Sequence, residues 1–429
     1  VLTKKNIQKI LFFCLVWPEP KSSAAGVRID RLIRFFNHVG WSVHISSFAE
    51  ISDHSIEYAH AHVYHLNPNS PHTLDSIRAI DPDIVVFDRF IVEEQFGWQV
   101  AEACPRAVRI LDTEDMHGLR EARRLSLRHH SHEMLWKQDF MIFEDTLANP
   151  ISLRELASMY RVHLNLMVSR DEMDLVGKYY HVDDTYLYHL PLVSEEWKKR
   201  TTSNQNIESK DVRNHCVFIG NYKHAPNRDA VHHLCTNLWP HIRKRVPNLE
   251  LHIYGAYADR DIQKLANKSL GITIKGRASD VGTVMNEYFL QLAPLRFGAG
   301  IKGKILEAII SELPTITTPI GNEGLKEYTF GFGFPGEIAE SDNEFIEKTV
   351  SLTQNNHRYQ QHVETAGLIS EQLIRDAIEF GYEHRLLKHL SDPSFIEKML
   401  NPSLVHSSFR QTNNLAHKYL SKYIAEKNK

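Results

Sequence analysis

Cysteine is scarce in this chain: four in 429 residues, Cys14, Cys104, Cys216 and Cys235. None is spaced C-x-x-C, so neither a zinc ribbon nor a disulfide scaffold is expected to organise the fold. So few thiols in so long a chain predict a reducing, cytosolic compartment. Long apolar runs are lacking too. The longest near the start covers residues 10–17, far short of the roughly 20 residues of a membrane span. Pro18, Glu19 and Pro20 follow it with no small-residue cleavage pattern, which argues against a secretory signal and for a buried strand. A surplus of one charge sign is also missing. Lys plus Arg total 50 against 53 Asp plus Glu, a formal net charge of −3. That balance gives no global pull towards nucleic acid, and no nucleic-acid partner is expected. Hydrophobic residues at 42% and charged residues at 24% exclude a disordered chain.

What is present is alternation. Residues 9–16 form a near-continuous apolar run, as in a strand buried on both faces. Residues 29–38 then carry Ile29, Leu32, Ile33 and Phe36 on one helical stripe. Strands are predicted over 43–47, 84–88, 108–111 and 164–169, and Ser169 with Glu172 has the spacing of a capping box. A polar stretch near 198–213 reads as a linker. A second series follows: strands at 217–220, 249–255, 272–276, 289–293 and 314–318, with helices at 228–246, 262–266, 281–288 and 301–311. Such alternation predicts an α/β chain of two doubly wound, Rossmann-like domains facing a cleft, with ligands beyond the carboxyl ends of the strands. The predicted boundaries are 1–197 for the first domain, 198–213 for the linker, 214–385 for the second domain, and 386–429 for a helical extension. In that extension, residues 409–429 carry Arg410, Lys418, Lys422, Lys427 and Lys429 against Glu426, with Ala416, Tyr419, Leu420 and Tyr423 at helical spacing. A docked or frayed terminal helix is the first reading. A weak peripheral contact with an anionic membrane surface is the second.

Two further patterns have plain explanations. His129, His130 and His132 lie among arginines with no second ligand group in view, as on a solvated helix face. Asp81-Pro82-Asp83 has the D-x-D spacing of a metal pair but runs straight into the apolar residues 84–87, as a strand-entry turn does. No metal site is expected.

The chemistry concentrates in residues 292–325, LAPLRFGAGIKGKILEAIISELPTITTPIGNEGL. A strand turns through Phe297-Gly298-Ala299-Gly300 and opens a helix. Small residues let backbone approach a ligand closely, and backbone N–H groups at a helix start favour an anion. Lys302 and Lys304 stand where a purely structural helix would place acidic residues, a conflict expected at a phosphate site. Gly300, Lys304 and Glu307 fall at i, i+4 and i+7, one helical stripe. Phosphates on the Gly loop and Lys304, with sugar hydroxyls at Glu307, would suit a nucleoside diphosphate.

This segment resembles the donor site of family 4 (group 1) glycosyltransferases of the two-domain GT-B fold, in the branch with PLRFGAG-x-KGK-x-x-EA followed by TT-x-IG-x-EGL. Phe218-Ile219-Gly220 with Pro226-Asn227, the strand ending at Gly255, and Gly276 with Asp280 resemble further family segments. In the first half, residues 22–28 (SSAAGVR) resemble the family's glycine-rich loop, and residues 111–124 (LDTEDMHGLREARR) a D-x-x-D-x-H-x-x-R segment. The resemblance implies a retaining glycosyltransferase, of hexosyltransferase type, that takes a nucleotide-sugar donor and a glycan or lipid-linked acceptor in cell-surface glycan or glycolipid synthesis. It needs no metal and no cofactor beyond the donor, and would be cytoplasmic or peripheral on the inner face of the membrane. It implies catalytic roles for His117, Lys304 and Glu307. Donor contacts would come from Gly26, Gly220, Asn221, Gly255, Arg277, Arg296, Gly298, Ala299, Gly300, Ile301 and Lys302. Arg28, Asp115 and Arg120 would face the acceptor. For Arg28 a salt bridge is an equal reading, and for His117 a structural place beside a helix cap. Two departures stand out. Ala299 replaces a sugar-contacting Glu of many relatives, and Asn221 and Asn227 stand where many carry an Arg and a Lys. They motivate an alternative: a non-catalytic nucleotide-sugar-binding scaffold of the same fold.

Overall fold

The computed structural model describes residues 9–20, 24–52, 55–129, 144–192, 213–379, 381–400 and 404–427. The expected linker up to residue 212, His130 and His132 lie outside the described residues, as does the side chain of His129. The chain forms two compact units. Unit 1 comprises residues 1–116, 150–192 and 381–429, and unit 2 comprises residues 117–149 and 193–380.

Unit 1 is built on a parallel sheet of β1 (Lys9–Cys14), β2 (Ser42–Ser47), β3 (His62–Tyr64), β4 (Ile84–Asp88), β5 (Val108–Asp112), β6 (Leu164–Met167) and β7 (Leu187–His189), in the order β3-β2-β1-β4-β5-β6-β7. β1 lies inside the sheet between β2 and β4 and is buried along nearly its whole length, as its unbroken apolar run requires. Its alternate residues serve two cores. Ile10 and Phe12 meet Ile29, Leu32, Ile33 and Phe36 of the helix Ala24–His38. Phe13 turns the other way and stacks on Phe96 at 4.3 Å. The helices Tyr382–Ser391 and Pro393–Leu400 return to the first of these cores: Leu386, Leu390 and Met399 pack into it, and Arg31 pairs with Glu383 at 2.5 Å. The helix Leu404–Lys427 docks on the other face, against the helices Phe90–Ala103 and Pro150–Arg161. Its Phe409 meets Tyr160 edge-on and Lys418 pairs with Glu102. Asp81 ends the helix Thr73–Ile80 with φ of 48°, and Asp83 accepts from the Lys9 N–H. The D-x-D is thus a strand-entry turn.

Unit 2 carries β8 (Asn214–Ile219), β9 (Leu251–Tyr254), β10 (Ile272–Gly276), β11 (Tyr288–Ala293), β12 (Thr315–Thr317) and β13 (Gly336–Ile338), parallel, in the order β10-β9-β8-β11-β12-β13. Trp239 is fully buried in its core and donates its indole N–H to the Leu270 carbonyl. In both sheets the order reverses once, between β1 and β4 and between β8 and β11. At such a switch point the strand ends diverge and leave a crevice for ligand.

Several local expectations shift. Residues 24–28, expected as a glycine-rich loop, form the first turn of the helix Ala24–His38. The helical region 228–246 contains Pro240, which cannot donate to the preceding turn. The helix responds with a wider π turn at Leu234–Leu238 before resuming as Trp239–Arg245. The helix expected from 301 begins at Gly303. Gly300 has φ of 65° and lies outside it, so only Lys304 and Glu307 share the helical stripe.

Candidate functional site

The carboxyl ends of β8 and β11 flank the switch point of unit 2. β8 delivers Gly220 and Asn221. β11 delivers Arg296 to Gly300 and then the helix Gly303–Ile310. The segment between strand and helix turns sharply, with positive φ at Gly298 and Gly300. Few side-chain residues tolerate that backbone, which is why small residues recur here.

Lys304 is the central cation. Its Nζ donates to the Asn227 Oδ1 and lies 4.9 Å over the Phe218 ring. Burial pushes its ammonium down to about 7. A lysine in such a place is poised to gain a proton when an anion arrives. Asn227 therefore orients a cation. Its Nδ2 also donates to the Asn221 carbonyl at 3.0 Å, while the Asn221 side chain caps the Lys223 N–H. Gly220 and Gly255 keep this floor open: a Cβ on Gly255 would lie 2.1 Å from the Gly220 carbonyl oxygen and strike the Tyr222 ring. Glu307 is half-buried one turn after Lys304. Ile301 is half-buried, Ala299 is buried, and Arg277 is exposed in the loop after β10.

The other expected phosphate cations are engaged. Arg296 forms a two-pronged pair with Asp229, at 2.9 and 2.5 Å. Lys302 is buried, donates to the Gly300 carbonyl at 2.8 Å and pairs with Glu323 at 3.3 Å. Within this structure Lys302 braces the loop from behind.

A second brace was not foreseen. The helix His117–His129 belongs to unit 2, although its sequence lies in the first half. Arg123 is 3% exposed and donates to the Gly298 carbonyl at 2.6 Å and to both Glu323 oxygens at 2.8 and 2.5 Å. One turn earlier, Arg120 meets His224 Nε2 at 3.2 Å. His117 opens the same helix and is half-buried. Burial alone would raise the Glu323 carboxyl, but Arg123 and Lys302 overcome it and hold the group at about 2. Glu323 thus ties two cations, and through them two carbonyls of the Gly298–Gly300 loop, into one network. The EGL in the motif was the sequence signal for Glu323. Nothing local marked Arg123 as its partner.

In unit 1 the strand ends carry a different cluster. Arg28 is buried, donates to both Asp112 oxygens at 2.8 and 2.9 Å, and reaches the Leu190 carbonyl. The salt-bridge reading of Arg28 is the one observed. Gly26 approaches Glu19, whose carbonyl oxygen would sit 2.2 Å from an added Cβ. Arg89 and Glu114 both have positive φ, of 75° and 63°. Burial, then the Asp112 charge, pushes the Glu114 carboxyl well up. Asp115 follows, half-buried.

Residues 213–355 match the family model of glycosyl transferases group 1. No curated protein matches in sequence. Among solved structures, sucrose-phosphate synthase from Thermosynechococcus elongatus aligns at 13% identity with a TM-score of 0.63, over 89% of this chain and 99% of that one. Anabaena HepE in complex with UDP aligns at 12% identity with a TM-score of 0.62, over 90% and 100%. WaaG, a glycosyltransferase involved in lipopolysaccharide biosynthesis, aligns at 14% identity with a TM-score of 0.57, over 87% and 98%. At these identities the structural likenesses speak for the fold. With two parallel sheets of this order, the chain has the two-domain GT-B fold, and its stretch from β8 to the helix Asp342–Gln354 is similar to the glycosyl transferases group 1 family.

Proposed function

We propose that the chain is a retaining glycosyltransferase that moves a sugar from a nucleoside-diphosphate donor to a glycan or lipid-linked acceptor in cell-surface glycan synthesis, without a metal. The observation that carries this is Lys304, set by Asn227 and Phe218 at the switch point of unit 2, one helical turn before Glu307. Two of the HepE structures it resembles hold UDP and UDP-glucose. In transfer, the bond between the anomeric carbon and the donor's phosphate oxygen breaks as the acceptor oxygen bonds to that carbon on the same face. The diphosphate leaves with the bonding electrons, and the acceptor's proton passes to it or to solvent. Charge therefore grows on the diphosphate, where a preorganised cation and loop N–H groups lower the barrier most. Lys304 supplies that cation and the Gly298–Gly300 loop the N–H groups. Glu307 accepts from the ribose hydroxyls, and His117 orients the transferred sugar.

One observation favours the scaffold reading: Arg296 and Lys302 both spend their charge on carboxylates, Asp229 and Glu323. A single experiment separates the readings. The protein is screened by thermal shift against UDP-, GDP-, ADP- and dTDP-sugars, with and without Mg²⁺, and the stabilising donor is then assayed for transfer and hydrolysis. A metal-independent shift, with transfer at low donor concentration that falls by about 10-fold or more in both Lys304→Ala and Glu307→Gln, supports the enzyme. A shift with neither transfer nor hydrolysis across a broad acceptor panel supports the scaffold. Normal turnover in both variants removes the site assignment.

A further inference from the structure

Unit 1 buries two arginines that have no carboxylate partner among the described residues. Arg109 lies on β5 between Val108 and Ile110, which face the core shared with the helix Ala24–His38. Side chains alternate along a strand, so Arg109 faces the opposite side, the one covered by the helices Phe90–Ala103, Pro150–Arg161 and Leu404–Lys427. Arg410 enters the same layer from the last of these helices. The two residues are 6% and 5% exposed. Arg410 gives one nitrogen to the Met399 carbonyl at 3.2 Å, and its guanidinium lies 5.9 Å over the Tyr186 ring. Asn165 of β6, next to β5, donates to the carbonyl of that same Tyr186 at 3.1 Å, just before β7, which puts Arg410 on the β6–β7 side of the layer, with β6 between it and β5. Among the described residues, the Nε of Arg109 and the Nε and Nη2 of Arg410 are buried without a hydrogen-bond partner.

A buried guanidinium with unmet donors is costly, and the nearby charges do not relieve it. Glu93, a buried carboxylate whose charge reaches Arg109, is taken by Arg161 through three short contacts of 3.0, 2.9 and 2.5 Å. Burial, then the charge of Arg410, pushes Arg109 down to about 10, and burial pushes Arg410 to about the same value. Guanidinium forks match the oxygens of a tetrahedral anion. Buried polar atoms left without partners signal an ordered water or ion.

We propose that a small inorganic oxyanion, phosphate or sulfate, binds between Arg109 and Arg410 and fastens the helix Leu404–Lys427 to the sheet of unit 1. The site is separate from the donor site of unit 2 and uses none of its residues. Its occupant neutralises the pair and joins β5 to the chain's last helix.

The full chain is dialysed into a gluconate buffer free of phosphate, sulfate and chloride. Each anion is then titrated at constant ionic strength while thermal unfolding is followed. At about a hundredfold excess over its dissociation constant, phosphate or sulfate is expected to raise the melting temperature by about 5 °C. The larger of the two shifts names the occupant. In a Lys304→Ala background, which removes any anion effect at the donor site, the remaining shift persists, and Arg109→Met and Arg410→Met abolish it. No shift with either oxyanion, an equal shift with chloride, or an unchanged shift in both arginine variants overturns the proposal. Crystals of the unaltered chain soaked in selenate supply a second reading that needs no variant. An anomalous peak between the two guanidiniums supports the site, and water alone there overturns it.

Discussion

Lys304 is where charge, burial and proposed chemistry meet. Its folded value of about 7 lies below the ordinary 10.5, so between those values the unfolded chain holds a proton that the folded chain has shed. Stability from this group therefore rises with pH across that window, and its cost is fully present below pH 7. Lys304→Met should raise the melting temperature at pH 7 and flatten its rise towards pH 10, measured by thermal denaturation across pH, while abolishing the donor-induced shift. Donor affinity runs the other way. The diphosphate needs the charged lysine, so the dissociation constant should climb by about tenfold per pH unit above 7. Calorimetry in buffers of different ionisation enthalpy should show net proton uptake on binding. In turnover, Lys304→Ala should lose about 100-fold or more in kcat, and Glu307→Gln should chiefly raise KM by about 10-fold or more. Both residues were legible because they lie three apart in one motif. Asn227, 77 residues from Lys304, read only as a lost cation until the fold set its side chain against that lysine.

At the scale of elements, the Gly298–Gly300 loop lies outside both β11 and the helix Gly303–Ile310 and is held in shape by its neighbours. Two of its carbonyls are held by Arg123 and Lys302, and Glu323 holds both of those. The Glu323 carboxyl is depressed to about 2. Its contribution is therefore fully present above the ordinary glutamate value of 4.5 and is lost as the pH falls from there towards 2. Glu323→Gln leaves two buried cations without their counter-charge and should cost about 3 kcal/mol or more at pH 7, read from the urea midpoint. The variant should also be less sensitive to acid than the parent chain between pH 5 and about 2.5. Lys302 was expected to face a phosphate because it precedes a helix beside two glycines. Pattern gives a side chain's place along the chain but not its direction. Here it turns inward because a buried carboxylate waits 21 residues on.

For the whole molecule, the division into units cuts across chain order: residues 117–149 join unit 2, and residues 381–429 return to unit 1. Leu386 and Leu390 complete a core begun by Ile29 and Phe36. Leu386→Ala should cost about 2–5 kcal/mol, and hydrogen exchange should show the loss in β1, β2 and the helix Ala24–His38 while β8 to β12 stay protected. Equal loosening of both units would contradict that reading. The sequence by itself determined the alternation of strand and helix, the two parallel sheets and the strand–turn–helix that carries Lys304 and Glu307. Apolar runs and a helix stripe are local properties, written within a few residues of one another. Only the tertiary structure decided that Arg28 is spent on Asp112, that Arg123 braces a loop 175 residues away, and that two arginines 301 positions apart share one buried layer. Those outcomes depend on which charges burial forces together, and buried ion pairs form between neighbours in space, whatever their separation along the chain.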